Sequence, residues 1–411
     1  MGTTTALSSL LNVTRASTGL GQLASGALTE YSADTPRYSW ISGTRYLLVE
    51  GSQVESIRNN TMVPNNTETG SGTSTPTNWN ITTGLGAVLT AGTATVVGVG
   101  KELGVDYIDI RYQGTGTGSA AIVLQFDVIN NPQATALPGT DTYYGSIYSK
   151  IVSITSGSIT SHILRTRCTN GSVGLDPPSS VNMATTVGAL TRYSVLMNTN
   201  VVGTTNCQLT GVLSFTAAST VDITIRYGLP SLQKNANYQR LPFRTDNVTF
   251  TQAADAIYYD LPSWLANRTD YSIYAEGIPF STTGFATDQT IASINNATAT
   301  ERIRLSRTAS TGALSTNISG ASMSGTYAGV PAGTWAQNAS ARLVAAHNSG
   351  AQMGAYNGTA ATDGTATGSP TITRLTIGAA GDGTLTWYGA IERIILWGSR
   401  RTDTAMQGLN V

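Results

Sequence analysis

The sequence predicts an all-β protein, a short N-terminal module followed by two antiparallel β-sandwiches, and three observations predict the β class. Gly, Ser, Thr and Asn together supply 172 of the 411 residues, the composition of short strands joined by turns. Helix formers are scarce, with 3 Lys and 8 Glu. Apolar residues recur at every second position in runs broken by turn clusters, the period of a half-buried strand. A 40% hydrophobic share is enough to build cores, and the length suits two or three domains of about 150 residues each.

The elements follow in chain order. Residues 1–76 form the opening module and its linker, because Met62 to Pro76 (MVPNNTETGSGTSTP) is rich in Pro, Gly, Asn and Thr and has no hydrophobic periodicity. Residues 77–245 form the first sandwich, with alternating runs at Tyr107 to Tyr112, Ala121 to Phe126 and Val221 to Arg226. The run Gln113 to Ser119 (QGTGTGS) between two of them is expected to be a hairpin turn. Residues 246–411 form the second sandwich after the break at Leu241 to Asn247, with strands at Arg302 to Leu305, Ala341 to Ala345, Arg374 to Ile377 and Ile391 to Trp397. Short helices are expected only around Leu261 to Ala266 and Asp403 to Leu409.

Charge and motifs narrow the function classes. Lys and Arg total 23 against 23 Asp and Glu, so there is no broad basic field for nucleic acid. No apolar run has the length of a membrane helix, and no basic and apolar leader opens the chain, so neither membrane insertion nor export by its own signal is expected. Cys168 and Cys207 cannot make a disulfide framework; one bridge forms if their strands are neighbours, and two reduced core thiols are the favoured alternative. With two His, His162 and His347, and no His-Glu-x-x-His, Cys-x-x-Cys or Gly-x-Ser-x-Gly, hydrolytic triads and zinc sites have little to be built from, and the chain reads as a non-enzyme. A glycosidase needs only two carboxylates, which Asp106, Asp109, Asp127 and Asp222 could supply. That keeps a polysaccharide depolymerase as the rival.

Alternation also sorts the first sandwich by face. If Ile108, Ile110, Ile122, Leu124, Phe126, Ile147, Ile151, Ile223 and Ile225 point inward, then Tyr107, Asp109, Arg111, Gln125, Asp127, Tyr144, Tyr148, Asp222 and Arg226 point outward. Rings flanked by carboxylates, an amide and guanidiniums suit a sugar, whose C–H face packs on an aromatic while its hydroxyls donate and accept hydrogen bonds. Tyr144 and Tyr148 would form the stacking platform. A subunit interface and an inert solvated face are the alternatives. In the second sandwich Trp335, Trp387 and Trp397 read as core, and His347, Asn348, Asp363 and Asp382 as loop residues ringing a ligand or a calcium ion; no other cofactor is expected. Arg15, Arg37 and Glu50 read as an ion pair fixing the opening module, or as a contact with another protein.

The opening residues Val13-Thr14-Arg15-Ala16-Ser17, Thr35-Pro36-Arg37-Tyr38, Tyr46-Leu47-Leu48-Val49-Glu50-Gly51 and Asn78-Trp79 resemble, in order, an N-terminal signature of structural proteins of tailed bacteriophages and phage-like gene transfer agents. The family commonly continues with an Arg-Thr-Asn stretch; here the run is Ser56-Ile57-Arg58-Asn59-Asn60. Thr142 to Tyr148 and Tyr227 to Leu232 resemble the family's jelly-roll carbohydrate-binding module. Trp335, Tyr356-Asn357-Gly358, Leu375 to Gly378 and Gly389 to Glu392 resemble a laminin-G or concanavalin-type lectin. The resemblance implies that both sandwiches are jelly-roll-type and that the chain is a head spike, tail fibre or tail-associated subunit on the virion surface, a homo-oligomer attached to other virion proteins through residues 1–76. It also implies recognition of host capsular polysaccharide or lipopolysaccharide by multivalent binding. A purely architectural virion protein is the third reading.

Overall fold

Ile108, Ile110, Ile122, Leu124, Phe126, Ile147, Ile151, Ile223 and Ile225 are all fully shielded from solvent in the computed structural model, as their period-two spacing requires. The structure describes residues 11–409 apart from 58–59, 61–75, 77, 119, 128–141, 170–178, 199–205, 235–239, 246–248, 281–286, 310–312, 330–333 and 361–362. It is nearly all β, with antiparallel pairing between neighbouring strands, in two compact units.

The inserted unit comprises residues 53–252 with residues 27–29. Among the described residues its larger sheet has Thr191–Asn198, Thr142–Ser156 and Thr220–Lys234 side by side. The last of these pairs over its first half with Val105–Gly116, itself paired with Leu89–Glu102, and at its far end with Gln53–Glu55, which pairs Phe250–Gln252. The smaller sheet runs Ser179–Asn182, Ile159–Thr169, Asn206–Phe215, Ile122–Gln125, Asn80–Thr83. Apolar side chains of both sheets form one core, in which Trp79 meets Phe126 edge to face at 5.0 Å. Gly114 and Gly116 lie inside the strand Val105–Gly116, and the next strand belongs to the other sheet, so the glycine run is not a hairpin turn.

Cys168 and Cys207 face each other on neighbouring strands, 4.0 Å apart at Cα, and are bridged. The expectation of two reduced thiols is corrected by that register, which period and composition do not reveal.

The split unit comprises residues 1–26, 30–52 and 253–411. Its first sheet, among the described residues, runs Asn12–Thr14, Ala256–Asp260, Arg374–Ile377, Gln289–Asn295, Arg302–Arg307, Leu314–Ser319, Tyr327–Gly329. The second runs Thr359–Ala360, Ala351–Tyr356, Ala341–Asn348, Tyr271–Pro279, Gly389–Trp397, Thr44–Val49, Arg37–Ile41. Trp335 and Trp387 pack in the core between them with ring centroids 4.9 Å apart, whereas Trp397 is half-buried beside Arg401. Asp403–Gln407 is the expected helix, capped by the Thr402 hydroxyl, which accepts from the Ala405 N–H. Leu261 to Ala266 is a turn instead, and a one-turn helix at Leu85–Val88 was not expected.

The opening residues therefore do not stand apart as a module over 1–76. Asn12–Thr14 pairs with Ala256–Asp260, and Thr44–Val49 pairs with Gly389–Trp397, so both complete sheets of the split unit. The linker read at Met62 to Pro76 falls, but for Pro76, outside the described residues. Arg15, Arg37 and Glu50 are indeed paired and buried, and their common partner is Asp255. Arg15 Nη1 donates to Asp255 Oδ1 at 3.0 Å, Arg37 Nη2 to Asp255 Oδ2 at 2.6 Å, and Arg37 Nη1 to Glu50 Oε2 at 2.9 Å. Gly19 lets the Arg37 stem pass, since a Cβ there would lie 2.5 Å from Arg37 Cδ.

Candidate functional site

Of the nine residues expected on one outer face of the first sandwich, seven share the larger sheet of the inserted unit. Arg226 stands opposite Asp109, Gly228 opposite Tyr107, Thr224 opposite Arg111 and Asp222 opposite Gln113, so period two puts them on the side away from the core. Arg226 is the hub. Its Nε and Nη2 donate to both Asp109 oxygens at 2.7 Å, and its Nη1 donates to Glu102 Oε2 at 2.5 Å. Lys150 Nζ, directly across the sheet, donates to Glu102 Oε1 at 2.8 Å. The guanidinium lies 3.3 Å from the centroid of the Tyr107 ring, which spreads over Gly100, where a Cβ would stand 2.9 Å from the tyrosine oxygen.

Beside the hub, Arg111 forks onto Asp222 with Nε–Oδ1 at 2.7 Å and Nη2–Oδ2 at 2.6 Å, and its side chain keeps 42% of its exposure. The hydrogen bond from Arg111 holds the Asp222 carboxyl below its usual range. Burial works to raise Glu102, but the hydrogen bonds from Lys150 and Arg226 override it and keep that carboxyl low as well. The acids here are hydrogen-bond acceptors held in place by cations.

Tyr144 and Tyr148 stand on the same face but are half-buried rather than open. The Tyr144 hydroxyl donates to Ser194 Oγ at 3.3 Å, the Arg192 guanidinium sits 5.8 Å from the Tyr148 ring, and burial raises the Tyr148 hydroxyl pKa. The side chains opposite the two rings are tied to the segment that follows: the Arg240 carbonyl accepts from Arg192, opposite Tyr148, and the Leu241 carbonyl from Gln233 Nε2, opposite Tyr144, at 3.0 Å. Gln125 and Asp127 do not join the set. Gln125 belongs to the smaller sheet, opposite Thr210, and both side chains are buried. Period two assigns a face, not a sheet. Glu102 and Lys150 were missed, although Lys150 continues the Tyr144, Tyr148 alternation.

The second set does not converge. His347 is fully buried in the strand Ala341–Asn348, with Nε2 3.1 Å from Ser369 Oγ, and burial drops its pKa to about 4. Asn348 ends the same strand, while Asp363 is exposed beside a bridge to Gln352. Asp382 accepts from the Thr384 N–H at 3.0 Å and hydroxyl at 2.6 Å, and lies in the field of Arg302. Among the described residues no three His, Cys, Asp or Glu side chains are grouped as a metal ion requires.

No family model matches the chain, and no curated protein matches it. Several solved structures are similar to it. The Ruminococcus gnavus IT-sialidase CBM40 bound to α2,3-sialyllactose is 14% identical with a TM-score of 0.32, covering 38% of this chain and 93% of that one. Domain 4 of AbnA, an extracellular GH43 arabinanase of Geobacillus stearothermophilus, in complex with arabinotriose, is 16% identical with a TM-score of 0.32, covering 38% and 73%. A heptameric SAP-like pentraxin of Limulus polyphemus is 13% identical with a TM-score of 0.29, covering 36% and 72%.

Proposed function

We propose that this chain is a non-catalytic glycan-binding protein whose inserted unit presents the Tyr107 face to surface polysaccharide. The supporting observation is the fixed group of Tyr107, Arg226, Asp109 and Glu102 beside the more exposed Arg111–Asp222 pair. A ring and its polar neighbours held rigid before binding lose little entropy when a sugar docks. The same geometry argues against the depolymerase rival: both oxygens of Asp109 and both of Asp222 already accept from a two-pronged guanidinium, so each carboxylate is engaged within the sheet rather than aimed at a glycosidic bond.

The particle role comes from the opening residues, whose resemblance to virion proteins of tailed phages and gene transfer agents makes this a spike, fibre or tail-associated subunit on the virion surface that adsorbs to host capsular polysaccharide or lipopolysaccharide. Because those residues are woven into the split unit, that whole unit is the part proposed to contact other virion proteins. Weak single sites would then act together in a homo-oligomer. Self-pairing of the charges also favours the architectural reading, in which the same ladder merely stiffens the sheet, and one experiment separates them. Host polysaccharides and a glycan array are probed with the parent chain, Tyr107→Ala and Arg111→Ala. Binding that weakens about two- to tenfold in each variant, with unchanged unfolding midpoints and no new reducing ends, supports the proposal. A parent that binds no glycan leaves the architectural role.

A further inference from the structure

The first sheet of the split unit turns a second polar face away from its core, and register alone assembles it. Tyr258, Thr376, Ser293, Arg304 and Asn317 stand in one row across five strands, and Asp260, Arg374, Asn295, Arg302 and Ser319 stand in the next. The intervening Leu375, Ile294, Ile303 and Ile318 are core side chains, and Tyr259, opposite Leu375, packs against that core. Ser293 and Asn295 are fully shielded and Thr376 nearly so. They form a floor of hydroxyls and an amide among taller Arg and Tyr side chains.

The arginines on this face are unequally satisfied. Arg374 donates from Nε to Asp260 Oδ1 at 2.9 Å and lies 3.9 Å from the Tyr258 ring centroid. Arg302 donates from Nε to Asn317 Oδ1 at 2.8 Å and from Nη1 to the Ala299 carbonyl. Arg304 has far less. Its side chain is 9% exposed, its Nε is buried without a partner, and its contact with an acid is a long one, Nη2 to Asp288 Oδ2 at 3.5 Å. A guanidinium carries five N–H donors and cannot shed its charge, so a buried one this poorly paired is costly unless an oxygen ligand completes it.

We propose that this face binds an acidic saccharide, with a carboxylate or sulfate oxygen of the sugar seated on Arg304 beside Arg302 and the sugar hydroxyls over the half-buried Asn317 and Tyr258, above the shielded floor of Ser293 and Thr376. Burial and the neighbouring Arg302 charge already press on Arg304, and an anion relieves both. Asp288 and Asp382, whose charges reach Arg302 and Arg304, would repel that anion and set its affinity. The ligand class rests on the reading of the chain as a glycan binder; the place does not, because it lies on a different sheet from Tyr107.

The full chain is titrated calorimetrically with oligogalacturonate, with dextran sulfate and with neutral dextran at low and at raised salt. The expected result is salt-sensitive binding of oligogalacturonate, none to neutral dextran, and about a tenfold loss in Arg304→Gln. Equal binding of dextran sulfate through Arg304 identifies any anionic oxygen as the ligand, and its absence narrows the ligand to a carboxylate. Asp288→Asn and Asp382→Asn keep their local acceptor oxygens, sit on partly exposed or exposed loops, and should tighten binding about two- to fivefold, a gain no folding defect produces. Failure of the parent to bind either acidic polymer, Arg304→Gln binding as tightly as the parent, or weaker binding in the two Asn variants overturns the proposal. Should the array with Tyr107→Ala fail while oligogalacturonate still binds through Arg304, only the Tyr107 face is withdrawn.

Discussion

Arg37 and Asp255, 218 residues apart in sequence, form a buried ion pair of 2.6 Å, and Asp255 holds Arg15 and the Glu50 N–H as well. Two cations and two acids in a fully shielded site are mutually dependent: removing one partner strands the others in a low-dielectric interior. Asp255→Ala should therefore cost the split unit about 3–5 kcal/mol, read as a lower urea midpoint. A chain lacking residues 1–52 should lose that unit altogether, since the strands Asn12–Thr14, Arg37–Ile41 and Thr44–Val49 go with it. Native-like unfolding of the truncated chain would show that the opening segment is dispensable.

The inserted unit leaves and re-enters at almost one point. The Asp255 N–H donates to the Glu50 carbonyl at 2.9 Å, so residues 50 and 255 are bonded neighbours across the junction. Replacing residues 53–252 by a Gly-Ser linker of about three residues spans this gap without stretching the backbone. The shortened chain should unfold cooperatively on heating with β-type circular dichroism. A chain that only aggregates would mean that the split unit depends on residues 53–252 for its fold.

Alternation in the sequence was enough to identify the β class and the inward residues, because side-chain direction in a strand is local information: Ile108 and Ile110 on one side, Tyr107 and Asp109 on the other. It was silent on which strands lie side by side. Asp255 follows Thr251-Gln252-Ala253-Ala254, a stretch with nothing to mark it as the partner of Arg15 and Arg37. Gln125 has the right parity for the Tyr107 face but the wrong sheet. Arg302 and Arg304 are visible as an alternating pair, yet their neighbours Ser293, Asn295, Thr376 and Asn317 come from three other strands, and only register brings them together. Surface sites on sheets are long-range objects.

The Cys168–Cys207 bridge spans 39 residues of sequence, and closing a loop of that size restricts the unfolded chain by about 4 kcal/mol in the chain-entropy model. Dithiothreitol should lower the urea midpoint of the inserted unit, and Cys168→Ser with Cys207→Ser should reproduce the drop. Equal midpoints with and without reductant would show that the thiols are not joined. The split unit, which contains neither cysteine, should be unaffected and serves as the internal control.

Glu55 gives the inserted unit a pH dependence of unusual sign. The carboxylate is fully shielded and accepts from Ser231 Oγ at 2.5 Å and the Leu232 N–H at 2.8 Å, yet burial outweighs these bonds and pushes its pKa from 4.5 to about 7. Between those values the folded chain holds a proton that the unfolded chain has released, so stability falls as pH rises from about 4.5 and levels off above about 7. The span corresponds to a loss on the order of 3 kcal/mol. His162 works the other way: burial lowers it to about 4, so its contribution is lost as pH falls below about 6.5. The two trends overlap in the same unit, and the parent curve alone cannot apportion them. Glu55→Gln removes one and leaves the other. Urea midpoints of parent and variant at pH 5 and pH 8 should show the variant gaining on the parent by that amount at the higher pH, and a difference that stays constant between the two would mean that Glu55 does not titrate in this range.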